Sequence, residues 1–203
     1  MRSRMTGSGH GAGWFPRTAL AAFALLLAAC VAPLGGSSSS STSVLGGALT
    51  VAVPAGYCID SKAGHDDGRS ALVIAGRCAS DRPVPVAVLT ISVGGEGSSA
   101  ILKAGAKALS DWVRSPAGRS ALARDGRAGS VVVRETLIWD GAFLMRLEDR
   151  STGPYWRAAL GVKGRLVMIS VNPPGQRGLA LEEGRAVLEK AILSVKRANA
   201  AAP

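Results

Sequence analysis

Few side chains in this chain of 203 residues can do chemistry, and their spacing sorts them quickly. Two histidines, His10 and His65, and three cysteines, Cys30, Cys58 and Cys78, leave little for zinc, haem or iron–sulfur ligation. The densest set of ligand atoms is Asp60, His65, Asp66 and Asp67. Oxygen-rich loops hold Ca²⁺ and an imidazole adds a transition-metal option, but one His beside two adjacent aspartates has no metal-site spacing. No metal and no cofactor is therefore expected. A Ser-His-Asp hydrolase would have to use His65, and the chain lacks the G-x-S-x-G elbow that presents such a serine. Gly95-Glu96-Gly97-Ser98-Ser99-Ala100 fits a dinucleotide fingerprint in letters. Glu96 would face the pyrophosphate, however, and no second parallel strand ending in an acid follows, so a glycine turn with a serine N-cap is the reading.

The remaining polar pattern lies between residues 130 and 171. Arg134, Arg146, Glu148, Tyr155, Arg157 and Arg165 stand in runs otherwise rich in Val, Leu and Met. Side chains on a strand alternate faces, so Arg146 shares a face with Glu148, and Tyr155 with Arg157. The six residues form a candidate binding face for an anionic group or a protein partner, since Arg recognises phosphate and carboxylate in bidentate fashion. The competing reading is cross-strand ion pairing on a solvated face. Glu135 and Glu148 also raise paired-carboxylate hydrolysis, which needs both acids in one cleft. A buried carboxyl pair in a concave pocket would favour the enzyme, and a flat charged sheet the binder.

Those residues need elements to hold them. Ala48–Val53, Tyr57–Asp60, Ala71–Ala75 and Pro85–Val93 read as strands, with a polar loop over Ser61–Arg69 and a connector over Asp81–Pro85. The unbroken apolar run at Ala71–Ala75 implies burial on both faces. Residues 99–114 carry apolar positions at helical spacing, and Ser115-Pro116 opens a short helix to Arg124. Four strands follow, 130–139, 142–149, 154–162 and 165–171, turning at Asp140-Gly141 and Lys163-Gly164. Leu181–Arg197 closes the chain as a helix with acids first and bases last, which suits the helix dipole. Residues 198–203 read as a frayed tail. The fold class is α+β: a largely antiparallel sheet with a mid-chain helix and a C-terminal helix packed on it.

Two cysteines fall inside this domain, and the third does not. Cys58 and Cys78 form an even pair, expected to bridge in an oxidising compartment, and their spacing is unlike a redox pair. Cys30 follows a basic segment (Arg2, Arg4, Arg17) and the apolar run Thr18–Ala29, which is too short to span a bilayer and suits a signal h-region. Leu27-Ala28-Ala29-Cys30 resembles the bacterial lipobox. That resemblance implies cleavage before Cys30, diacylation of its thiol, and a membrane anchor through lipid. Val31 stands where enterobacterial sorting would place an inner-membrane-retention Asp, and by that resemblance the outer membrane is favoured. The Ser/Gly-rich stretch to residue 47 reads as a flexible linker. The expected organisation is thus a signal peptide over 1–29, lipidated Cys30 and linker over 30–47, one domain over 48–197 and the tail.

Charge narrows the partners. The whole chain carries 24 basic and 14 acidic residues, net +10. The charges are scattered, no block of five or six like charges occurs, and no nucleic-acid motif is present, so no nucleic-acid partner is expected. The order of elements over 48–197 resembles the PsbP-like α/β/α sandwich of exported bacterial and thylakoid-lumen proteins. The stretches GRSALARDG (118–126), GPYWRAALGVKGRL (153–166) and PAGYCID (54–60) are similar to exported proteins of alphaproteobacteria. The second resemblance implies an envelope location on the periplasmic side and no activity, and proteins that share the PsbP-like fold more often bind partners than catalyse. With the arginine pattern of the meander, the expected role is binding or scaffolding, with an envelope protein or an anionic ligand as partner. The alternatives are a periplasmic hydrolase using meander acids, and a metal or small-ligand carrier.

Overall fold

A computed structural model describes residues 39–79, 83–175 and 178–200. The signal peptide, Cys30 with the linker to residue 38, connector residues 81–82 and tail residues 201–203 lie outside the described residues. Among the described residues nine strands run in chain order: β1 Ser41–Val44, β2 Leu49–Ala52, β3 Tyr57–Asp66, β4 Ala71–Arg77, β5 Val88–Glu96, β6 Val131–Trp139, β7 Ala142–Asp149, β8 Gly153–Val162 and β9 Arg165–Asn172. The helices are α1 Gly105–Arg114, α2 Pro116–Leu122 and α3 Leu181–Asn199, with a 3-10 helix at Ser98–Ala104. β3 to β9 form one sheet in the order β3-β4-β5-β9-β8-β7-β6, antiparallel throughout, and β1-β2 form a separate hairpin. The α+β class expected from the pattern is the architecture observed.

The sheet has two differently covered faces. On one, the β1-β2 hairpin and α3 bury Leu89, Ile91, Val167 and Ile169 against Leu49, Val51, Leu188 and Ile192. On the other, α1 and α2 bury Phe143, Met145 and Leu147 against Leu109, Val113 and Leu122. Period-2 alternation supplies both sets from the same strands. The second layer stops short: Leu72 and Ile74 of β4 and Thr90 and Ser92 of β5 stay half-buried. β4 is therefore buried on one face, through Ala71, Val73 and Ala75, and not on two as its apolar run suggested. An unbroken apolar run records both side-chain sets but cannot say whether a layer covers each.

Local chemistry fixes the short helices. Ser115 is extended, its hydroxyl accepts from the Gly118 N–H at 3.1 Å, and Pro116 starts α2 without needing a donor. Gly118 is required by contact: a Cβ there would lie 2.0 Å from the Trp112 carbonyl oxygen and 2.7 Å from Val113 Cα. This close approach lets α2 fold back on α1.

Several boundaries differ from the sequence reading. The helix expected over 99–114 is a 3-10 helix over Ser98–Ala104 and an α-helix only from Gly105, the short helix expected to Arg124 ends at Leu122, and the strand expected over Pro85–Val93 runs from Val88 to Glu96. The stretch assigned to the linker contains β1, whose end buries Val44 and Leu45. Ser/Gly composition hid a hairpin that needs left-handed residues, here Leu45, Gly46 and Gly47. The loop placed at Ser61–Arg69 is largely strand, with β3 running to Asp66 through a bulge between Ile59 and Gly64. The tail placed from 198 begins too early, because α3 runs to Asn199, which is 9% exposed. Its amide accepts from Thr50 N–H at 2.9 Å and donates to the Thr50 and Val195 carbonyls at 2.6 and 2.8 Å. One side chain thereby replaces a neighbouring strand along the outer edge of β2.

Candidate functional site

The six-residue binding face does not form as one surface. Arg146 lies opposite Trp156, whereas Leu147 lies opposite Tyr155. Tyr155 and Arg157 therefore share the α1/α2 face with Leu147 and Met145, while Arg134, Arg146 and Glu148 share the α3 face. There the charges neutralise one another: Arg134 Nε donates to Glu148 at 2.6 Å and Arg146 Nε to Glu135 at 3.2 Å. The bulge between Val133 and Glu135 sets Arg134 beside Glu148. These pairs are a third to a half exposed, so each contributes at most about 1 kcal/mol. Arg165 sits elsewhere again, 4.0 Å from Glu96.

The aspartate cluster is spent on turns. Asp66 accepts from the Leu45 and Gly68 N–H groups, joining the β1-β2 turn to the β3-β4 turn. Asp67 accepts from Arg69 and Ser70 N–H at 2.8 and 2.7 Å, and these bonds hold its carboxyl below the usual range. Among the described residues no group of three His, Cys, Asp or Glu side chains could hold a metal. Gly95 and Glu96 extend β5, and Ser98 is not an N-cap. Its hydroxyl donates to the Gly95 carbonyl at 2.6 Å and accepts from Leu166 N–H at 2.8 Å, stitching β5 to β9. Cys58 and Cys78 are bridged, tying the start of β3 to the end of β4.

A concave site forms where sequence spacing gave no signal. Beside the half-bare part of the sheet lies an open groove of about 640 Å³. Val88 and Thr90 of β5 line one side, Arg124 just beyond α2 another, and Ser151, Thr152 and Pro154 a third. Asn172, Pro173 and Pro174 close the end where β9 stops. Arg124 is the only charged side chain among the described lining residues. Asn172 is 7% exposed, and the Thr152 Oγ1 is buried with no hydrogen-bond partner among the described residues.

The groove has a built wall. Arg157 Nε donates to Ser170 Oγ at 2.8 Å, one Nη donates to the Leu122 carbonyl at 3.4 Å, and the guanidinium lies 5.5 Å from the Tyr155 ring centre. Arg157 thus fastens the last turn of α2 to the sheet and fixes where Arg124 emerges two residues later. Burial raises the Tyr155 hydroxyl above its ordinary pKa; Arg157 opposes this, Asp149 adds to it, and Arg124 opposes it. Asp149, 4% exposed, accepts from the Ser151 N–H at 2.7 Å and sets the turn that carries Thr152. Tyr155 and Arg157 were singled out by type. Arg124, Thr152 and Asn172 carry no such signal, because they meet only through the β8-β9 pairing and the α1-α2 reversal.

Among the described residues no helix is long and apolar enough to cross a membrane. Compared with protein-family models, curated proteins and solved structures, the chain matches none.

Proposed function

We propose that this chain is a lipid-anchored protein of the cell envelope whose domain binds an anionic small ligand in the groove between β5, β9 and the end of α2. The observation that carries the reading is the groove's composition: one arginine, hydroxyls and an amide, with no carboxylate or imidazole among the described lining residues. Such a set supplies charge and hydrogen bonds for a phosphate or carboxylate and no general base for hydrolysis. The meander acids Glu135 and Glu148 are bonded to Arg146 and Arg134, which supports binding over paired-carboxylate chemistry. The envelope setting rests on the basic segment, the apolar run and Cys30 in the sequence, together with a disulfide of the kind exported proteins keep. The PsbP-like order of elements is consistent with a binding role.

Two measurements test the two halves of the proposal. Intact mass from the native membrane fraction should begin at Cys30, carry acyl chains, and gain two protons on reduction. An unacylated chain starting elsewhere removes the anchor. Thermal shift with inorganic phosphate, citrate and a hexose phosphate should raise the melting temperature of the parent but not of Arg124→Glu. Equal response, or none, in both proteins removes the groove reading.

A further inference from the structure

A second, chemically opposite site lies under the 3-10 helix. Between that helix, α1 and the sheet is a slot of about 70 Å³ whose lining has no polar surface. Leu102 and Trp112 form its roof, Phe143, Met145 and Ala159 its floor, and Met168 its side. Ile101 and Trp112 remain 48% and 44% exposed at its rim.

The roof is lightly held. A 3-10 helix seldom runs beyond three or four residues, because its hydrogen-bond geometry is poorer than that of an α-helix. This one has seven residues, none of them buried. Gly97 and Gly105 bound it with φ of 76° and 84°. Neither would meet any atom within 4 Å if given a Cβ, so backbone conformation and not crowding requires glycine at both ends. Anchorage is at one end: Ser98 Oγ accepts from Leu166 N–H at 2.8 Å and Ser99 N–H donates to Gly164 at 3.4 Å. From Ala104 to Ala108 every residue is exposed.

We infer that this slot takes the end of a hydrocarbon chain from a single-chain amphiphile with an anionic head, and that the 3-10 helix is its lid. The lining offers no hydrogen-bonding atom, so the inserted part is hydrocarbon. The resting volume is about half the ~150 Å³ of an apolar cavity that accepts a benzene ring, so an unbranched chain end fits where a ring does not. Two methionines give a wall that repacks as more chain enters. Outside, Lys107 is held by Asp111 at 2.7 Å, whereas Lys103, on the lid beside Leu102, forms no salt bridge among the described residues. Lys103 is a cation available to a carboxylate or phosphate head. This site is independent of the groove and does not involve Arg124.

The test uses Trp112 as reporter in the full chain, titrated with a fatty acid brominated near its methyl end, below its micelle concentration. Saturable quenching is expected. Trp112→Phe should remove most of it, and Ala159→Leu, which fills the slot, should weaken binding at least tenfold with the fold checked by circular dichroism. Lys103→Glu should weaken the acid several-fold more than the equivalent brominated alcohol. Absence of saturable quenching in the parent overturns the inference whatever the variants do. So does equal quenching in a folded Ala159→Leu, or quenching only by brominated-lipid vesicles, which would mean surface adsorption. Normal quenching in Arg124→Glu separates this outcome from that of the groove.

Discussion

Replacing Asn199 by alanine should loosen the β1-β2 hairpin from the rest of the domain. The side chain makes three hydrogen bonds, two to the backbone of Thr50 and one to the Val195 carbonyl. A net hydrogen bond contributes about 1 kcal/mol, and stripping partners from part-buried backbone groups costs more than from exposed ones, so the loss should be about 2–3 kcal/mol. For a domain of this size that lowers the melting temperature by about 4–12 °C. Urea unfolding followed by circular dichroism reads the loss as a shifted midpoint at unchanged slope. Asn199→Asp adds a sign test. Its carboxylate would retain the bond from Thr50 N–H but face two carbonyl oxygens without a proton, which raises its folded-state pKa above the unfolded value near ~3.9. Stability relative to the parent should then recover as pH falls below that folded-state pKa and the carboxyl becomes a donor. A loss under about 0.5 kcal/mol for Asn199→Ala, within the range of ordinary surface changes, would refute the edge-capping role.

Three further outcomes are expected. Cys58→Ser with Cys78→Ser opens a bridge between residues 20 apart and should cost about 3 kcal/mol in the chain-entropy account, read by urea unfolding; an unchanged midpoint would show the bridge to be idle. Gly118→Ala puts a Cβ 2.0 Å from the Trp112 carbonyl and should cost at least the ~1–3 kcal/mol of overpacking, whereas Gly129→Ala, which meets nothing within 4 Å, should be near neutral. Tyr57 is pushed up to about 12 by burial, then by Glu183, against the pull of Arg77. Its contribution to stability is therefore complete below the unfolded value near ~10 and is lost as pH rises toward the folded value. Both tyrosines of the chain, Tyr57 and Tyr155, are raised, so tyrosinate absorbance should show two late-titrating groups, and the loss of one of them in Tyr57→Phe checks the assignment.

Elements with a local signal were legible in the sequence. The meander was set by alternating apolar residues and by Asp140-Gly141 and Lys163-Gly164, whose left-handed φ values appear in the structure. Ser115-Pro116 marked the start of α2 because cap and fixed φ are properties of two adjacent residues. What escaped depends on distant pairing. The hairpin in the Ser/Gly stretch is stabilised from outside itself, by Asp66 on Leu45 and Asn199 on Thr50. The arginine face was divided because type and spacing along one strand do not give the register of the next. Arg124, Thr152 and Asn172 come from three separate segments, and no periodicity links them.

The most direct test of the binding account is an amide chemical-shift titration of the isotope-labelled protein with a hexose phosphate. The account predicts saturable shifts confined to Thr90, Arg124, Thr152, Asn172 and their neighbours, absent in Arg124→Glu. Shifts that cluster instead on the Arg134–Glu148 and Arg146–Glu135 pairs, or no shifts up to millimolar ligand, would contradict it.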